Sequence, residues 1–158
     1  MNNQELESIW VDGIPNKINK EDLLTVDEMI KICIRFTVER ILIPRDYKII
    51  GIVDQPNNFP NITAEKNGIK YAIVVLPEVF PRFSSIVDDF RFKFVAATKE
   101  RELLPVLCPV LIKSYDKQRA DKGLLLKGDL YNLSEIGQII LTDEEKQLIT
   151  PQTLNFKF

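Results

Sequence analysis

The stretch Ile62-Thr63-Ala64-Glu65-Lys66-Asn67-Gly68-Ile69-Lys70-Tyr71-Ala72-Ile73-Val74-Val75-Leu76 decides the fold. Asn67-Gly68 is the pair that a type I′ turn prefers, because both of its central positions need positive φ. On either side, 62–66 and 69–75 are rich in β-branched and aromatic residues, so the spacing predicts a β-hairpin. The second strand ends in an unbroken apolar run, Tyr71 to Leu76. A strand without polar residues at alternate positions is covered on both faces. The hairpin therefore calls for a layer above it and a layer below it.

The flanking sequence supplies both. Upstream, Thr25-Val26-Asp27-Glu28 is a capping box, and the helix it opens is expected to run to about Leu42, where Pro44 stops it. Its polar residues Glu28, Lys31, Arg35 and Glu39 form one narrow stripe, and nearly everything else is apolar. Such a helix is covered on more than one side, either centrally in the domain or at a subunit interface. Tyr47 to Val53 reads as a strand, and Asp54 to Asn61 as a loop. Downstream, a second helix follows Pro81, capped by Ser84 or Ser85, with Asp88 and Asp89 near its start and Lys99 and Arg101 near its end. Phe83, Ile86, Val87, Phe90, Phe94 and Ala97 recur on it at helical spacing.

Leu103 to Ile112 reads as the next strand. Pro105 and Pro109 cannot donate to a ladder, so an edge position or a distorted strand is expected. A short helix near Lys117 to Leu125, a strand near Gly137 to Leu141 and a last helix after the capping box Thr142-Asp143-Glu144-Glu145 complete the order α-β-β-β-α-β-α-β-α. The expectation is one three-layer α/β domain over residues 25–158, a central mixed sheet with helices on both faces. Residues 1–24, with Trp10 as the one large anchor, are expected to form an arm that packs on it.

Composition bounds the chemistry. The chain of 158 residues carries 21 basic and 23 acidic side chains, too even a balance to imply a polyanion or a membrane surface as partner. There is no histidine, which removes Ser-His-Asp and Cys-His sites and imidazole ligation of zinc. The two cysteines, Cys33 and Cys108, each lie within an apolar run and are expected to be buried free thiols. None of the six glycines forms a phosphate-cradling loop motif. The start, Met1-Asn2-Asn3-Gln4-Glu5, has no signal-peptide character, and the longest near-apolar run, Leu103 to Ile112, is far short of a membrane span. A cytoplasmic location is expected.

Over residues 26–112 the order helix, strand, hairpin, helix, strand resembles the core of the PD-(D/E)XK nucleases, the restriction-endonuclease-like superfamily. That resemblance implies a Pro-Asp at the start of one hairpin strand and an acidic-x-Lys triplet on the next, the ligands and lysine of a metal-dependent nuclease. Here Pro60-Asn61 stands in the first place and Ile73-Val74-Val75 in the second. All three charged positions are neutral or apolar, so no catalytic residue carries over.

Two sets of candidate residues remain. Relocated acids, Asp54 and Glu65, with Lys66, Lys70 and Glu39 in reach by topology, would supply a Mg²⁺ site with a lysine nearby. Between Arg91 and Lys127, nine basic residues face four acidic ones, and Arg91, Lys93, Lys113, Lys117 and Arg119 are the candidates for a phosphate-binding face. Tyr115 and Tyr131 are available to stack bases. The Phe83-Phe90-Phe94 stripe lines either the core or a ligand pocket. The preferred expectation is a non-enzymatic binding or interaction module without a cofactor. It would be a homodimer through the first helix or the proline-containing strand. The alternatives are a Mg²⁺-dependent nuclease and a small-molecule or peptide binder, including a protein that neutralises another by contact.

Overall fold

The computed structural model describes residues 10–11, 14–15, 19–53, 59–81 and 88–141. In chain order the elements are β1 (Trp10–Val11), β2 (Ile14–Pro15), α1 (Val26–Phe36), β3 (Lys48–Ile52), β4 (Ile62–Lys66), β5 (Ile69–Val79), α2 (Asp88–Glu100), β6 (Leu104–Ser114), α3 (Lys117–Asp121), β7 (Tyr131–Glu135) and β8 (Ile139–Ile140).

Helix α1 starts at the expected capping box. The Thr25 hydroxyl accepts from the Glu28 amide at 3.1 Å, and the Glu28 carboxylate accepts from the Thr25 amide at 3.1 Å. After Phe36 the helix widens into π-type turns over Thr37–Leu42, where the Thr37 hydroxyl donates back to the Cys33 carbonyl at 2.8 Å. Pro44 then sits in a short 3-10 turn, and Asp46 closes it in the left-handed conformation at φ 65°.

The hairpin forms as read. Asn67 and Gly68 have φ of 53° and 79°, the paired positive values of a type I′ turn. Its register sets Glu65 opposite Lys70 and Ile62 opposite Ile73. The six-stranded sheet has the order β3-β4-β5-β6-β7, with β8 also on β6. β5 and β6 are parallel, joined by the crossover through α2, and the other pairings are antiparallel. α1 and the π-type turns that continue it cover one face, packing Cys33, Ile34, Val38 and Ile41 on Ile62, Ile73, Val75 and Cys108. α2 covers the other, packing Phe94 and Val95 on Ala72, Val74 and Leu107. The chain is an α/β domain in three layers.

Three expectations need correction. β6 is not an edge strand: it lies between β5 and the β7/β8 pair. Its prolines are tolerated because they face an interrupted seam. β8 pairs Val106 and Leu107, β7 pairs Val110 to Ser114, and the carbonyls of Pro105 and Pro109 accept from Leu141 and Ile136 just outside those ladders. Since a residue's N–H and C=O point to the same side of a strand, the donor that Pro109 lacks falls in the gap between the two ladders and the one that Pro105 lacks falls beyond the end of the β8 ladder. Secondly, Tyr131–Glu135 is a strand, while the strand expected at 137–141 is only Ile139–Ile140. Thirdly, Ala97 is exposed, and the covered side of α2 instead carries Arg91, Phe94, Val95 and Thr98.

Upstream of α1, Leu24 donates to the Leu125 carbonyl at 2.8 Å and Lys127 to the Asp22 carbonyl at 2.9 Å, so 22–24 are tied along 125–127. The caps Ser84 and Ser85, the apolar Phe83, Ile86 and Val87, and the helix after Thr142 lie outside the described residues. Among the described residues no helix is long and apolar enough to cross a membrane.

Candidate functional site

The nuclease resemblance implies acids on β4 and β5. Asn61, at the head of β4, is 1% exposed. Its amide donates to the Ile73 carbonyl at 2.9 Å, and its side-chain oxygen accepts from the Val75 amide at 2.7 Å. Its carbonyl accepts from Val53 at 2.7 Å, so one residue clips β3, β4 and β5 together. Ile73 and Val75 turn into the core beneath α1 and are themselves buried. Among the described residues this layer is filled with hydrocarbon, and its buried polar side chains, Asn61 and Thr37, both bond to backbone.

The relocated acids do not gather at one point. Glu65 and Lys70 are cross-strand neighbours, and alternation puts both on the sheet face away from α1, with Lys48 opposite Glu65 on the other side. Lys66 turns to the α1 face, where its ammonium lies 5.1 Å from the centre of the Tyr47 ring. Glu39 is exposed in the π-type turns that continue α1 and pairs with Arg35 at 3.1 Å. Asp54 lies outside the described residues. Among the described residues no group of three or more acids or cysteines is placed to hold a metal ion.

The basic candidates are also divided. Arg91 is 4% exposed, with its guanidinium 4.7 Å from the centre of the Phe92 ring. Lys93 is exposed and pairs with Asp89 at 3.0 Å. Lys113 lies 4.4 Å from the centre of the Phe80 ring. Lys117 is exposed at the start of α3. Arg119 is largely buried and forks onto Asp129 at 2.8 and 3.0 Å, and Ser114 donates to the same carboxylate at 3.1 Å. That network ties α3 to the ends of β6 and β7. Tyr115 is exposed, whereas the Tyr131 hydroxyl donates to the Leu126 carbonyl. Burial pushes the Tyr131 phenol above its ordinary value. Phe90 and Phe94 stack at 5.7 Å, Phe59 meets Phe90 edge-on at 4.8 Å, and Phe94 is part of the core.

One open groove lies elsewhere on the surface. Between α1 and β3 runs a groove of about 400 Å³ lined by Lys31, Ile34, Arg35, Val38, Glu39 and Ile52. Its floor is apolar and its rim is charged, the make-up of a site that takes an apolar side chain and orients it by polar contacts. Alongside it, β3 is paired only with β4 among the described residues and exposes Ile50, Ile52 and Val53.

No protein-family model matches this chain, and no curated protein does.

Sequence reasoning did not single out the groove, because it depends on how a helix and an edge strand are set side by side. It also passed over Glu78, which is fully buried on β5. The apolar run that marks the strand in the sequence stops at Leu76. The parallel pairing with β6 carries it on to Val79. Glu78 on β5 and Arg91 on α2 are both buried, and both are engaged by other groups in the structure.

Proposed function

We propose that this protein is a non-catalytic interaction module, built on a scaffold like that of the restriction-endonuclease-like nucleases, whose recognition surface is the β3 edge and the α1–β3 groove. What carries the reading is the filling of the hairpin layer. Asn61 holds the Val75 amide, and Ile73 and Val75 occupy core positions, so a cation there would meet hydrocarbon and a used amide oxygen. The surface feature that fits recognition is an apolar edge strand beside an apolar-floored groove. Main-chain pairing to such an edge supplies affinity, and a pocket for a side chain supplies selectivity. Both cysteines are free and buried, which suits the reducing cytoplasm.

The experiment is a Mg²⁺ and Mn²⁺ titration followed by NMR, with cleavage assays on single- and double-stranded DNA and RNA. The expected result is neither saturable binding nor cleavage. Tight binding of either metal together with cleavage that Asp54→Ala or Glu65→Ala abolishes would establish the nuclease instead.

A further inference from the structure

We propose that Asn67, at the tip of the β4–β5 hairpin, is a site of covalent self-modification. The Gly68 amide nitrogen attacks the Asn67 side-chain carbonyl, ammonia leaves, and water opens the cyclic imide to an aspartyl or isoaspartyl residue. The chemistry needs only this chain and water, so it stands apart from the interaction reading above.

The nucleophile is the first observation. A side chain on the residue after an asparagine crowds the approach of its backbone nitrogen, and glycine has none. Asn67 is the only asparagine in the sequence that precedes a glycine. A Cβ built on Gly68 meets nothing within 4 Å, so no neighbour closes over that residue. The turn is closed by the pair Lys66 and Ile69, and among the described residues the Gly68 amide donates to no acceptor.

The electrophile is the second. Asn67 is exposed, and among the described residues no hydrogen bond holds its side-chain amide. Asn61, at the other end of β4, is its internal contrast. That side chain is buried, its oxygen is held by the Val75 amide at 2.7 Å, and the β-branched Ile62 follows it. One asparagine is locked in the sheet, and the other is open to solvent beside an unhindered nitrogen.

The step balances without an oxidant or a cofactor. Hydroxide takes the Gly68 amide proton, the bond from nitrogen to Cγ forms, the bond from Cγ to Nδ2 breaks, and Nδ2 leaves as ammonia after taking a proton from water. Water then cleaves the imide at Cγ, giving aspartate, or at the main-chain carbonyl, giving isoaspartate. The charged side chains flanking the turn are Glu65, Lys66 and Lys70, a net positive setting that favours the developing amide anion. Either product adds one negative charge. The isoaspartyl product also adds a methylene to the backbone, so the two-residue turn no longer fits the pairing of Lys66 with Ile69.

Peptide mass mapping of the intact folded protein after incubation at pH 8 and at pH 6, with anion exchange to resolve the added charge, tests the idea. Asn67 should convert at least about tenfold faster than Asn132, which is exposed but precedes Leu133, and faster at pH 8 than at pH 6. Gly68→Asn keeps a residue that tolerates positive φ while adding a Cβ, and it should slow conversion of Asn67 by at least about tenfold. Conversion of Asn67 no faster than that of Asn132, conversion seen only in urea, or an unchanged rate in Gly68→Asn would overturn the proposal.

Discussion

The side chain of Asn61 accepts a hydrogen bond from the backbone amide of Val75 at 2.7 Å, inside a site that is 1% exposed. The amide has no water to turn to if the acceptor is removed. Asn61→Ala should therefore cost about 1–3 kcal/mol, the penalty for stranding a buried donor. Urea unfolding should show a lower midpoint at unchanged slope. A loss below a few tenths would mean that the clip is not holding the hairpin.

Buried thiols make an alkaline prediction. Burial, assisted by the neighbouring Cys108 and Glu78, pushes the Cys33 thiol from 9.0 up to about 12. Burial likewise pushes Cys108 up to about 12, against a lowering hydrogen bond with Thr37. In the unfolded chain both ionise near their ordinary value, so the folded form holds the protons more tightly. Their contribution is whole below pH about 9 and is lost as the pH climbs towards about 12. A thiol reagent at pH 8 should label neither residue in the native protein, and the labelling rate should follow unfolding. Rapid modification of either thiol in the native state would contradict this.

Two arginine forks should behave differently. Arg119 and Asp129 have side chains 15% and 14% exposed, so Arg119→Ala leaves a carboxylate stranded and should cost about 3–5 kcal/mol. Arg119→Lys should recover little of that loss, because one ammonium cannot reproduce the fork. Arg45 also forks, onto Glu135 at 2.8 and 2.5 Å, but its side chain is half in solvent. Arg45→Ala should cost under about 1 kcal/mol and less still at high salt. Equal losses for the two alanine variants, measured by thermal unfolding, would defeat the argument from burial.

Glycine substitutions separate space from conformation. A Cβ meets nothing within 4 Å at Gly68 or at Gly51, but Gly68 sits at φ +79°. Gly68→Ala should cost about 1–2 kcal/mol because a left-handed backbone strains any L side chain. Gly51→Ala should leave the stability unchanged or slightly raised. The check is chemical unfolding of both variants.

The parts of this protein that rest on local rules could be read from its residues. The capping box at Thr25 and Glu28, the turn at Asn67-Gly68 and the two-sided strand after it each depend on neighbours a few positions apart. Backbone conformation and hydrophobic period are set at that range. The three layers followed from these elements alone, and so did the neutral and apolar residues standing at the resemblance's charged positions. The position of β6 was not legible. A proline forbids a ladder bond on one side only, and which side faces a gap depends on where β7 and β8 arrive from later in the chain. The groove beside Ile52, the burial of Glu78 and Arg91, and the separation of Glu65 from Glu39 were likewise decided by tertiary structure. Each turns on which face of an element meets which neighbour, a relation between segments far apart in the chain that no short window of residues contains.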